Sequence, residues 1–240
     1  MELLHAFALT HDDIIDQGTL RHGVETVHLH VEREMREQGR RGDLSHVATG
    51  QAMLAGDLLL NWTYETFASG TDLCPAGFAE AYRLLVQTVN EVLIGEMLDV
   101  ELMTVALPSL EQIKRKTLLK TARYTFIGPL RIGHRLSPER QRADLDDFYE
   151  RFGIEVGMAY QLQDDLLDVV GSADELQKPV GQDWQQHTLL GVRDEGPGYG
   201  SELISTHLSM ARRAVTDVLL PEAGRTAFLD LLTLLTDRRR

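Results

Sequence analysis

The chain has one cysteine, Cys74, in 240 residues. A lone thiol rules out a disulfide framework within the chain and a cysteine-built metal centre. Runs of alternating β-branched residues bounded by hairpin turns are missing, so a sheet-based fold has no local support. No apolar stretch has the length of a membrane span and no signal-type leader is visible, which gives the expectation of a cytoplasmic protein with no stable membrane insertion. Basic residues are scarce: 24 Lys and Arg against 37 Asp and Glu leave a formal net charge of −13. That balance argues against nucleic acid or an anionic membrane surface as the main partner. It leaves a phosphorylated substrate open if divalent cations supply the local positive charge. G-x-G-x-x-G after a strand, G-x-S-x-G and H-E-x-x-H are all absent, so dinucleotide, nucleophile-elbow and zincin chemistry have no motif.

What is present is helical spacing over a 43% hydrophobic composition. A first helix is under way at Met1, with Leu3, Leu4, Phe7 and Ile14 near one stripe. Gln17 to Val27 reads as a loop, with Gly18 and Gly23 as breakers. Glu32 to Gly42 reads as a solvated connection. Further helices are expected from Asp43 or Ser45 to Ala68, from Pro75 to Leu102, and from Pro108-Ser109 to about Phe126. Gly128-Pro129 should break the chain, with a short piece to Gly133. Ser137-Pro138-Glu139-Arg140 is a start signal for a helix reaching about Val170. Gly171 to Gly200 reads as loop, and helices over Ser201–Leu219 and Pro221–Thr236 finish the chain. No interdomain linker stands out, so one all-α domain over residues 1–240 is expected.

Two D-D-x-x-D motifs punctuate these helices: Asp12-Asp13-Ile14-Ile15-Asp16 and Asp164-Asp165-Leu166-Leu167-Asp168. At about 3.6 residues per turn, Asp12 and Asp16 share a face, as do Asp164 and Asp168, and the middle Asp points about 100° away. The apolar residues between them (Ile14, Ile15, Leu166, Leu167) are expected to face a core. Like charges one turn apart destabilise a helix unless a cation sits between them. Hard oxygen ligands suit Mg²⁺, which commonly bridges carboxylates to substrate phosphates. One such motif reads as readily as a solvated acidic face. Two, each inside apolar sequence, point to a metal.

The order and spacing of these pieces resemble the trans-isoprenyl diphosphate synthases, or polyprenyl synthetases, of the short-chain farnesyl and geranylgeranyl type. The resemblance runs through His11-Asp12-Asp13-Ile14-Ile15-Asp16, Leu20-Arg21-His22-Gly23, Gly56-Asp57, Lys120-Thr121 with Tyr124, Tyr160 to Asp168, and Lys178-Pro179-Val180-Gly181-Gln182-Asp183. It implies an isoprenoid synthase-type helical bundle around a central cavity, in a homodimer. It implies two Mg²⁺ at Asp12 and Asp16 and a third at Asp164, with Asp168 nearby, clamping an allylic diphosphate. The leaving group then ionises, and the allylic cation alkylates isopentenyl diphosphate in a water-free cavity. Arg21 would grip the allylic diphosphate, Lys120 and Thr121 would contact it and steady the cation, Gln161 would orient that cluster, and Lys178 would reach the leaving diphosphate. Phe7, followed by Ala8, falls where the family sets product length, which implies a product of about fifteen to twenty carbons limited by pocket shape.

Several features depart from the family pattern. The family has several helices and a Gly-Lys-x-Arg segment ahead of the first motif, whereas eleven residues precede Asp12 here. His22 stands where a second arginine would serve isopentenyl diphosphate. Gln177 replaces the glycine before Lys178-Pro179. Trp184-Gln185-Gln186-His187-Thr188 lacks a further lysine. The allylic half of the site is intact and the isopentenyl half depleted. Three readings follow: a synthase shortened at its N-terminus, a class I terpene cyclase or lyase acting on an allylic diphosphate alone, or a non-catalytic regulatory subunit of a full-length synthase. Retention of both acidic motifs disfavours the subunit, and Lys178-Pro179-Val180-Gly181 disfavours the cyclase.

Overall fold

Residues 1–73, 75–170, 188 and 197–237 are described by a computed structural model. Their contacts fall into two units, Met1–Leu73 and the described residues from Pro75 onward. The fold is all-α; the strands among the described residues are those of one short hairpin. Among the described residues no helix is long and apolar enough to cross a membrane.

In the first unit, helix α1 (Glu2–Ile15) buries Leu4, Phe7, Thr10 and Asp13, a stripe of spacing three. Strands β1 (Leu20–Arg21) and β2 (Val24–Glu25) pair antiparallel, Arg21 opposite Val24. His22 (φ 51) and Gly23 (φ 75) form the turn. Two consecutive positive φ values belong to the type I′ hairpin, whose twist matches the strands. The expected loop from Gln17 to Val27 is therefore a hairpin. The expected solvated connection is corrected too: helix α2 spans Val27–Glu37 and buries only Met35. So thin an apolar signal hid it. The Thr26 hydroxyl donates to the Gly18 carbonyl (2.7 Å) at its entrance, and Arg33–Glu37 and Arg36–Glu32 pair one turn apart on its surface. Helix α3 (Leu44–Ala68) starts where the Asp43 side chain accepts the His46 N–H.

In the second unit, α4 (Pro75–Leu102) runs as expected. Helix α5 (Leu110–Thr117) opens on a capping box between Ser109 and Gln112. It passes into a π-helical stretch, Leu118–Ile127, and continues as α6 (Gly128–Arg135). The expected break at Gly128-Pro129 does not occur. The Gly128 N–H reaches the Arg123 carbonyl five residues back, so Pro129 stands at the start of a new α register, where its missing N–H costs least. Helix α7 (Ala143–Val170) begins later than Ser137. The Ser137 hydroxyl donates to the His134 carbonyl and accepts the Glu139 N–H, closing α6 in a turn instead of opening α7. Helices α8 (Pro197–Asp217) and α9 (Glu222–Asp237) follow, α8 starting ahead of the expected Ser201. Phe148, Phe152 and Val156 of α7 form the core with Ala211 and Val215 of α8 and Leu232 of α9. Phe228 meets Phe148 and Phe152 edge-on, with centroids 4.9 Å apart in each case.

Asp146 of α7 bonds Arg135 and lies near Arg131. Burial pushes its carboxyl up, but the Arg135 hydrogen bond and the surrounding cations hold it below the ordinary carboxylate value. A carboxyl with a depressed folded-state pKa contributes stability that is fully present above the unfolded value, near 4, and is lost as pH falls through the lower folded value. The Asp146 contribution, read as the difference in urea midpoint between the parent chain and Asp146→Asn, is therefore expected to be constant from neutrality to about pH 4 and to shrink below it. Asp146→Asn is expected to lower the midpoint at neutral pH and to converge with the parent chain in acid.

Candidate active site

The first acidic motif occupies the last turn of α1, with Asp16 as the C-cap residue. No basic residue shares that turn. Carboxylates at the negative end of a helix dipole are unfavourable by about 0.3–1 kcal/mol each unless a cation answers them. The buried member is the middle one, Asp13, while Asp12 is half-buried and Asp16 exposed. Ile14 is only half-buried and Ile15 exposed, which corrects the expectation that the apolar pair faces a core. The stripe Leu4-Phe7-Thr10-Asp13 carries the burial instead.

The hairpin brings Arg21 back onto this turn. Its Nε donates to Asp13 Oδ1 (2.8 Å) and one Nη donates to Asp12 Oδ2 (2.6 Å), a two-pronged grip that suits a guanidinium. Burial works against the charge on Arg21, but Asp13 and Asp12 more than offset it and raise the guanidinium above its ordinary value. His22 lies exposed at the hairpin tip. Phe7 is buried with its ring 4.8 Å from that of His11, and Ala8 is half-buried. The His11 ring nitrogen lies 3.1 Å from the Met53 carbonyl. A Cβ on Gly56 would stand 2.3 Å from that ring, which explains a glycine beside Asp57.

In the second unit the π stretch carries Lys120 and Thr121. The Thr121 hydroxyl donates to Gln161 Oε1 (2.9 Å), and the Gln161 amide donates to Asp165 Oδ1 (3.0 Å). This chain ties the π stretch to the second acidic motif, near the C-terminal end of α7. Again the middle carboxylate, Asp165, is the buried one; Asp164, Leu166 and Leu167 are half-buried. The α7 end also lacks a basic residue in its last turn. Asp168 lies in α7, but its side chain is outside the described residues, as is Lys178. The sequence offers a second Lys-Thr pair, Lys116-Thr117, one turn earlier. Its Thr117 hydroxyl is buried with no hydrogen-bond partner among the described residues, whereas Thr121 reaches the motif. Sequence reading missed Asp13, Asp165, Glu96 and Asp99. The D-D doublets and the spacing of three from Thr10 to Asp13 and from Leu162 to Asp165 were the available signals.

Lys120 Nζ lies 2.8 Å from Glu96 Oε2 and 2.7 Å from Asp99 Oδ2, both on α4. A groove of about 300 Å³ between α7 and α8, lined by Arg151, Glu155, Met210 and Arg213, holds none of the expected site residues.

The donor chemistry fits magnesium. Both motifs offer carboxylate oxygens near helix C-terminal ends whose last turns carry no basic residue. Among the described residues no three His, Cys, Asp or Glu side chains converge as a closed cage. Mg²⁺ rarely uses one; it takes one or two carboxylates, several waters and substrate phosphates.

The chain is 29% identical over 246 aligned positions to geranylfarnesyl diphosphate synthase of Natronomonas pharaonis, covering 97% of this chain and 65% of that protein. It is 31% identical over 194 positions to heptaprenyl diphosphate synthase component 2 of Bacillus subtilis, covering 78% of this chain and 46% of that protein. The fold superposes with a TM-score of 0.88 and 29% identity on geranylgeranyl pyrophosphate synthase of Corynebacterium glutamicum, solved with isoprenyl diphosphate and magnesium, over 99% of this chain and 77% of that one. The polyprenyl synthetase family model matches residues 1–189, through both units and both acidic motifs. The chain belongs to the polyprenyl synthetase family.

Proposed function

We propose that the chain is a Mg²⁺-dependent prenyltransferase, condensing an allylic diphosphate with isopentenyl diphosphate into a short-chain product of about fifteen to twenty carbons. The observation that carries this is the pair of acidic motifs, each at a helix end with no basic residue in its last turn, in a chain of this family. Both units are read as parts of one isoprenoid synthase domain, because the family model runs through both. A cytoplasmic location is part of the same reading.

Asp12 and Asp16 on α1 and Asp164 and Asp168 on α7 are the proposed magnesium ligands, for three ions in all. When bound, magnesium neutralises the diphosphate leaving group so that its C–O bond can ionise. The remaining work falls to the chain. Arg21 offers a planar fork of N–H donors to phosphate oxygens while Asp13 fixes its Nε. Lys120 and Lys178 contribute ammonium charge to the diphosphate, and His22 faces isopentenyl diphosphate. Thr121 and Gln161 hold Asp165, and through it the α7 motif, in register. Electrostatic preorganisation of this kind acts where charge develops and needs no covalent intermediate.

The test is a product assay on the purified chain with Mg²⁺. One arm holds an allylic diphosphate with isopentenyl diphosphate, the other the allylic diphosphate alone. A longer prenyl diphosphate in the first arm only is the expected result. Alcohol or hydrocarbon in both arms would make the chain a lyase or cyclase. Phe7→Ala is expected to shift the product by at least one isoprene unit, read by chromatography after dephosphorylation. An unchanged product would remove Phe7 from the length-setting wall. A second copy of the chain is the proposed cover for Met53, Leu54, Leu58 and Trp62, exposed along α3. Light scattering should return a dimer mass, and a monomer would favour a different second chain.

A further inference from the structure

Helix α4 presents two carboxylates to the lysine of the Lys120-Thr121 pair. Glu96 and Asp99 stand three residues apart on one face of that helix, as neighbours along a helix surface do. Asp99 divides its two oxygens: Oδ2 takes Lys120 Nζ at 2.7 Å and Oδ1 takes Lys116 Nζ at 3.0 Å. Glu96 Oε2 takes Lys120 Nζ at 2.8 Å. All four side chains are at most a quarter exposed. Among these four side chains two ammonium groups face two carboxylates. The residue that admits this contact is Gly95: a Cβ there would lie 2.6 Å from the Lys120 backbone nitrogen and 2.9 Å from its Cα.

Stability alone is a weak reason for such a cluster, since well-packed apolar residues usually serve a partly buried site as well or better. A lysine head on a flexible stem samples many rotamers, and an anionic substrate needs it in one place. Two charge-assisted bonds from one rigid helix supply that fixation. Thr121, the next residue, is fixed from the other side by Gln161 of α7. We infer that Glu96 and Asp99 are positioning residues for Lys120, and that Lys116 is the counter-cation that keeps Asp99 aimed at it. The inference rests on the prenyl-transfer reading for its catalytic half, and on geometry alone for its holding half.

Two measurements separate these halves. The first is acetylation by acetic anhydride, followed residue by residue by mass spectrometry, with the exposed Lys114 as internal reference. Glu96→Gln and Asp99→Asn are expected to raise the Lys120 rate at least about threefold relative to Lys114, within the range of coupling between contacting groups. Glu96→Gln keeps an acceptor oxygen and serves if Asp99→Asn fails to fold by circular dichroism. The second is a double-mutant cycle on prenyl transfer. Asp99→Asn is expected to lower kcat about tenfold, with KM for isopentenyl diphosphate unchanged, in the parent chain, and by less than about twofold in a Lys120→Ala background. Unchanged Lys120 labelling in both variants overturns the inference whether or not the chain turns over. Equal losses in the two backgrounds overturn the catalytic half, because Asp99 would then act apart from Lys120. A parent chain that makes no longer product while its labelling responds as expected counts against prenyl transfer and leaves the holding role supported.

Discussion

Asp12→Ala is expected to lower prenyl transfer by a factor of about a hundred to a thousand, or more, and to leave the thermal midpoint almost unchanged. The two halves of that expectation come from different parts of one turn. Asp12 lies on the half-buried side of α1 and shares a face with Asp16, so its removal takes away a proposed metal ligand. Its stability cost is small, because Arg21 keeps its Nε bond to Asp13 when the Asp12 carboxylate is gone. Asp13→Ala should behave in the opposite way. Asp13 is 5% exposed, and its loss leaves a cavity beside an arginine that has lost its main anchor. A cost of about 1–3 kcal/mol in stability is expected, with a smaller effect on kcat than Asp12→Ala. Thermal melts and steady-state rates on the two variants check this directly. If Asp12→Ala turned over at the parent rate, the assignment of metal ligands to the outer members of the motif would be wrong.

That division between outer and middle carboxylates shows where sequence reading stops. Helical spacing identified the acidic helices and the start of α4 at Pro75, because Pro and apolar periodicity act locally. It placed the outer Asp residues on one face by geometry alone. It assigned the buried face to Ile14 and Ile15, because hydrophobicity is the default guide to burial, and Arg21 overrides that guide from a hairpin eight residues on. The hairpin itself was hidden, since a two-residue strand offers no alternation and His22-Gly23 is an uncommon way to write a type I′ turn. The Glu96, Asp99, Lys116 and Lys120 cluster joins residues of α4 to the end of α5 and the π stretch, and ion pairs across helices leave no periodic trace. The π stretch was beyond reach for another reason: its ten residues, Leu118–Ile127, carry no local marker that separates a π register from an α one.

What packs on it leads to the second large effect. A Cβ added at Gly157 of α7 would fall 2.3 Å from the Ala122 Cβ and 2.5 Å from its Cα. Backbone and a methyl group cannot swing aside as the tip of a flexible side chain can, so α7 and the π stretch must separate. Overpacking of this kind costs about 1–3 kcal/mol. A site without neighbours gains instead: Gly133→Ala in α6, with nothing within 4 Å of the added Cβ, should stabilise by about 0.4–1 kcal/mol. The two alanines therefore carry opposite signs, and urea denaturation of both variants reads them side by side. Gly157→Ala has a further consequence because Ala122 follows Lys120-Thr121. Displacing the π stretch lengthens the Thr121–Gln161 bond that ties it to Asp165, so activity should fall by more than the loss of folded protein accounts for. Rates measured well below the melting transition separate these effects. A Gly157→Ala chain that melts at the parent temperature would mean that the two helices can part without cost, and the close approach would then have no role in holding Thr121 against α7.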